Sequence, residues 1–148
     1  MTSLSMHFSL EELTRSKPGI LNTPTPRVLH NLSKVALKLE EARAILGQPI
    51  RISYGYRCKE LNDSCGGSPT SVHLSGLAAD MIPQGGLILE HAVEMLLDDP
   101  EFMMDVDQLI IERGCIHLGL PQPRMEYRYE TFVDGKRHYP LKFVWGAP

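Results

Sequence analysis

The sequence predicts an α+β domain in which a small, mostly antiparallel sheet packs against two or three helices. Two segments, 26–46 and 87–99, repeat their apolar residues at helical spacing. Between and after them, short alternating or apolar runs at 49–57, 76–82 and 105–120 read as strands. The dipeptides Arg113-Gly114 and Asp134-Gly135 sit where hairpins would turn. Strands joined by tight turns, with the helices outside those joins, make a sheet of this kind.

Each element has a local reason. Ser9 and Glu12 in "SLEE" have capping-box spacing and start a short helix expected to run through Arg15. Pro18, Gly19, Pro24 and Pro26 then interrupt the chain. Thr25 caps the scaffold helix and Pro26 suits its first turn; Val28, Leu29, Leu32, Val35, Ala36, Leu39, Ala42, Ile45 and Leu46 form its apolar stripe until Gly47 stops it. "PIRISYGYR" alternates like a half-buried strand, and "CKELNDSCGGSPTS" carries loop chemistry. "GLAADMI" is a short strand ended by Pro83, and "LILEHAVEMLLDD" is a second amphipathic helix ended near Pro100. "DVDQLIIERGCIHLGL" forms two strands around Arg113 and Gly114, and "TFVDGKRHYPLKFVW" a terminal hairpin.

Composition excludes several classes of function. A chain of 148 residues with 43% hydrophobic content supports one core, so residues 1–148 are expected to form a single domain. A net charge of −3 offers no basic footprint for nucleic acid. No apolar run is long enough for a membrane span, and "MTSLSMHFSLEEL" lacks the pattern of a signal peptide, so the expected location is the cytoplasm of the producing cell. The three cysteines, Cys58, Cys65 and Cys115, form no CxxC pair and read as free thiols.

The chemistry concentrates in "SVHLSGLAAD", where His73 and Asp80 stand among small or apolar residues. If Arg113 and Gly114 form a two-residue turn, Glu112 faces Cys115, Ile110 faces His117, and Glu112, Cys115 and His117 share one face. Two imidazoles and a carboxylate suit Zn²⁺, and three protein ligands leave a fourth tetrahedral position for water. Zinc lowers the pKa of that water, and Glu112 is the carboxylate placed to take its proton. From spacing alone His73 is more often a satisfied structural histidine, and Glu112 is as readily a solvated turn residue.

The pattern S-x-H-x-x-G-x-A-x-D, matched at Ser71, His73, Gly76, Ala78 and Asp80, joins "GYR" before it and "DQLIIE...IHLGL" after it. Together these resemble the M15 family of zinc D,D-peptidases, especially the short domains common in phages and bacteria, from "FSLEELTRS" to the final strands. The resemblance implies a hedgehog/D-Ala-D-Ala peptidase-like fold and a Zn²⁺ held by His73, Asp80 and His117, with Glu112 as general base. It also implies that Arg57 binds a substrate carboxylate or the developing oxyanion, and that Ser71 forms a hydrogen-bonding wall. The substrate implied is the stem peptide of peptidoglycan, cut at D-Ala-D-Ala as a carboxypeptidase or at L-Ala-D-Glu as an endolysin, in a holin-assisted or virion-borne setting.

Two positions depart from the family pattern. Cys115 and Ile116 stand where a tryptophan is common, and Gly114 stands three before His117, where many relatives place the glutamate; Glu112 is five before. Cys115 reads as a small buried hydrophobe rather than a fourth ligand. His7, His30, His91 and His138 fall outside the motifs and read as surface or structural, and Met103 and Met104 as core filler. The alternative to an enzyme is a non-catalytic zinc module that binds the wall or anchors in a virion; a carboxylate at 112 has no use there.

Overall fold

Ser9 and Glu12 close the capping box from both sides in the computed structural model, which describes residues 1–122 and the strands at 130–133 and 136–138. The helix they start, α1, spans Leu10–Leu13 and ends short of Arg15. The Thr14 hydroxyl turns back to the Leu10 carbonyl at 2.7 Å, offering the backbone an alternative to another helical turn.

Helix α2, Pro26–Leu46, begins with the Thr25 hydroxyl accepting from the Val28 N–H and ends at Gly47 in the left-handed conformation, φ 67°. Its buried stripe is Val28, Leu32, Val35, Ala36, Leu39, Ala42 and Leu46. Leu29, expected in that stripe, is 38% exposed, and Ile45 only partly buried. Each fully buried leucine contributes about 1.5–3 kcal/mol relative to an exposed one.

Strand β1, Ile50–Tyr54, is followed by a helix where loop was expected: α3, Lys59–Ser64. Its intrinsic signals are weak, and its stability comes from the fully buried Leu61 and the buried Asn62, which a single sequence does not reveal. A single 3-10 turn, Val72–Ser75, leads through Gly76 to strand β2, Ala78–Pro83. Helix α4 spans Leu89–Leu97. Pro100 opens a further short helix, α5, Pro100–Met103, because Asp99 caps it and proline fits the first turn. Among the described residues there are five α-helices, of which α2 and α4 are the long ones, and the domain is α+β as expected. Met103 is core, whereas Met104 is 71% exposed and fills nothing.

Strands β3, Gln108–Glu112, and β4, Cys115–Gly119, form the expected hairpin; β5, Glu130–Val133, and β6, Lys136–His138, form a second. The turn expected at Asp134 and Gly135 lies outside the described residues. The six strands run β1-β2-β4-β3-β5-β6, antiparallel except where β3 meets β5 in parallel. Helices α2 and α4 pack on the sheet through a core that includes Leu39, Leu96, Met81 and Ile116. No helix among the described residues is long and apolar enough to cross a membrane.

Candidate metal centre and its cleft

Strand register brings the polar side chains together. Arg113 (φ 50°) and Gly114 (φ 76°) both adopt the left-handed conformation that a two-residue hairpin turn requires, so Glu112 faces Cys115 and Ile110 faces His117. On the other side of β4, His117 faces Asp80, and Asp80 faces Tyr54 of β1. Directly opposed residues share a face, so one row across four strands carries Tyr54, Asp80, His117 and Ile110.

His73 reaches this row from the 3-10 turn. The Ser71 hydroxyl accepts from the His73 N–H at 3.3 Å, and Gly76, at φ 73°, turns the chain back into β2. His73 is 1% exposed, and its Nδ1 donates to the Gly55 carbonyl at 2.6 Å, which leaves the Nε2 lone pair facing inward. His117 is oriented in the same way, its Nε2 lying 3.0 Å from the Gln108 Oε1.

Three atoms with available lone pairs therefore meet. His73 Nε2 lies 3.1 Å from Asp80 Oδ1, His117 Nδ1 lies 3.1 Å from the same oxygen, and the two nitrogens are 3.2 Å apart. Ligand atoms around a tetrahedral zinc with bonds of about 2.0–2.1 Å stand about 3.3 Å apart, so the triangle fits such an ion. Burial alone would push the Asp80 carboxyl up, but the His117 and His73 imidazoles packed against it hold it well below the usual carboxylate range, which keeps it a carboxylate. Burial pushes the His73 imidazole down, against the pull of Asp80, and so favours the neutral form a metal needs. Among the described residues, His73, Asp80 and His117 are the group that could hold a metal ion.

The two histidines line an open cleft of about 300 Å³ together with Arg57, Ser71, Gln108 and Glu112. Arg57 is 9% exposed; its guanidinium lies 5.7 Å from the Tyr54 ring, and its Nε has no hydrogen-bond partner. Glu112 is exposed at the end of β3. Cys115 is buried, outside the metal-holding group, and donates its thiol to the Glu112 carbonyl. Burial and the nearby Asp80 and Glu112 charges push that thiol up to about 12, as befits an inert packing residue. A larger hollow, about 490 Å³, lies beside α2, but its Lys38 already pairs with Glu41 and Asp105 and it holds none of these groups.

Residues 6–98 match the family model of peptidase M15. The chain belongs to the peptidase M15 family. The M15 segment carries Arg57, Ser71, His73 and Asp80, while His117 and Glu112 lie beyond it and reach it through the pairing of β2 with β4. Among curated proteins, none matches the chain.

Of the remaining histidines, His7 pairs with Glu40 at 2.8 Å and is not in the metal-holding group. Sequence reasoning passed over Gln108 and the Gly55 carbonyl. Gln108 was within reach: two residues from Ile110 and four from Glu112, it lies on their face of β3. Nothing in the sequence marks the Gly55 carbonyl, which is recruited by the close approach of distant segments.

Proposed function

We propose that this M15 peptidase is a zinc-dependent hydrolase of peptidoglycan stem peptides, built as one domain over residues 1–148. The observation that carries the reading is the triangle formed by His73 Nε2, Asp80 Oδ1 and His117 Nδ1 on the wall of an open cleft. Imidazole and carboxylate donors of this number and spacing suit Zn²⁺, with one coordination position left over. When bound, zinc supplies Lewis acidity toward a carbonyl oxygen and makes water a nucleophile near neutral pH.

The chain's own groups do the rest. Glu112, exposed on the cleft side of β3, takes a proton from the attacking water and returns it to the leaving amine. Arg57 presents a charged fork with an unused Nε–H, suited to a substrate carboxylate or a developing oxyanion. The Ser71 oxygen braces the His73 turn as an acceptor, so its own O–H remains to donate into the cleft. The motif around His73 and Asp80 supports the bacterial wall as substrate, with the bond D-Ala-D-Ala or L-Ala-D-Glu. Action follows release from the producing cell, through a holin or aboard a virion.

Purified protein is incubated with defined stem peptides with and without chelator, products are read by mass spectrometry, and bound metal is measured. Cleavage stops with chelator and with His73→Ala, which also loses the metal. Glu112→Gln retains zinc and loses at least about 100-fold in rate, the usual scale for removing a general base. Normal cleavage by Glu112→Gln removes Glu112 from the mechanism. Zinc binding by the unaltered protein without cleavage of any stem peptide replaces the enzyme with a zinc-stabilised wall-binding module.

A further inference from the structure

We propose that Gln108 is a positioning residue for the metal centre: its amide oxygen holds His117 in the Nε2–H tautomer, so that Nδ1 presents a lone pair to the ion. The inference rests on the metal reading above and concerns how this chain prepares one ligand. A neutral imidazole has one N–H and one lone pair, and acceptors stand at both ends of His117. Asp80 Oδ1 lies 3.1 Å from Nδ1, and Gln108 Oε1 lies 3.0 Å from Nε2. With the proton on Nδ1, that nitrogen is lost as a ligand and the Nε2 lone pair faces the Gln108 oxygen. With the proton on Nε2, Gln108 accepts it and the triangle of lone pairs is complete. His73 is prepared by the same logic, but there the acceptor is the Gly55 backbone carbonyl. Only at His117 is the partner a side chain that mutation can remove.

A second observation supports the placement. Gln108 pairs with Gly119 across the β3–β4 ladder. A Cβ at Gly119 would stand 2.8 Å from Gln108 Oε1, 3.1 Å from Gln108 Cβ and 3.4 Å from His117 Nε2. Gly119 does not adopt a positive φ, so glycine is needed there for space rather than for backbone conformation. The space it leaves is where the Gln108 amide meets the imidazole. An alanine at 119 would push away the free end of a flexible side chain.

The test uses the full chain, three variants and zinc competition against a chelator. Gln108→Leu removes the acceptor, Gly119→Ala displaces it, and Gln108→Glu replaces it with a stronger one. Loss of such a partner costs about 10–100-fold in metal affinity, so Gln108→Leu and Gly119→Ala weaken zinc binding by roughly tenfold or more, while Gln108→Glu binds at least as tightly as the unaltered protein. In the zinc-loaded protein, NMR shows a protected His117 Nε2–H signal that persists in Gln108→Glu and is lost to exchange in Gln108→Leu. Should Gln108→Leu fail to fold, Gly119→Ala gives the same answer. Equal affinity in all three variants, or equal weakening by Gln108→Leu and Gln108→Glu, overturns the role of Gln108 and leaves the metal centre standing. Absence of zinc binding by the unaltered protein overturns both.

Discussion

Gly76 joins the two halves of the motif, with His73 before it and Asp80 after it, and its replacement tests how the fold holds them in register. Two independent costs apply to Gly76→Ala. The residue has φ 73°, where a side chain costs about 1–2 kcal/mol. A Cβ there would also meet Val28 Cγ1 at 2.8 Å and the Val28 carbonyl oxygen at 3.1 Å, both on α2. Overpacking of this kind costs about 1–3 kcal/mol, so the sum centres on about 3–4 kcal/mol, or roughly 10 °C in melting temperature. The shift that relieves the contact moves the His73 turn relative to β2, and zinc affinity falls by roughly tenfold or more. Thermal melts of Gly76→Ala, Val28→Ala and the double variant separate the two costs. Val28→Ala removes the Cγ1 contact but not the φ strain, so the pair shows a favourable coupling of about 1–2 kcal/mol. A Gly76→Ala protein that melts within about 2 °C of the original, or a double variant that is strictly additive, refutes the reasoning.

Two further outcomes follow from charge and burial. Burial raises the Glu40 carboxyl, but hydrogen bonds from the Ser5 hydroxyl and from the His7 side chain and N–H outweigh it and lower its pKa in the folded protein. The stability Glu40 contributes is therefore present above its unfolded pKa of about 4.3 and is lost as pH falls through its folded value. Amide shifts of Ser5 and His7 should move toward random-coil values in that acid range, and Glu40→Gln should produce the same shifts at neutral pH; unchanged shifts count against the clamp. At Cys65, burial opposes ionisation but hydrogen bonds with Arg57, Tyr54 and Ser64 and the Lys17 charge prevail and lower its pKa, whereas Cys115 is pushed up to about 12. At pH 8 a thiol of pKa about 12 is thiolate only to the order of 10⁻⁴, so iodoacetamide labels Cys65 and spares Cys115, as peptide mapping will show. Equal labelling of the two would contradict the placement of Cys115.

Glu112 and His117 show how far the site could be read in advance. Their shared face followed from an Arg-Gly turn and a period of two, and the observed register is the one those rules give. The trio expected to hold a metal was picked out from residue types and a motif, and the structure places its side-chain atoms 3.1–3.2 Å apart. Neither spacing nor composition could tell that Arg57 would bury its guanidinium beside Tyr54, or that Ser71 would accept from the His73 N–H.

What the sequence determined by itself is local: the capping box at Ser9, the Thr25 and Gly47 ends of α2, most of its apolar stripe and the β3–β4 turn. Each depends on neighbours within a turn of helix or across one hairpin, so the pattern lies within a short window of chain. The tertiary structure alone decided that α3 would form around Leu61, that β5 would lie parallel to β3, and that the Gly55 carbonyl and the Gln108 amide would lie against the two histidines. Those outcomes depend on contacts between segments far apart in the chain, where burial and strand register outweigh local preference.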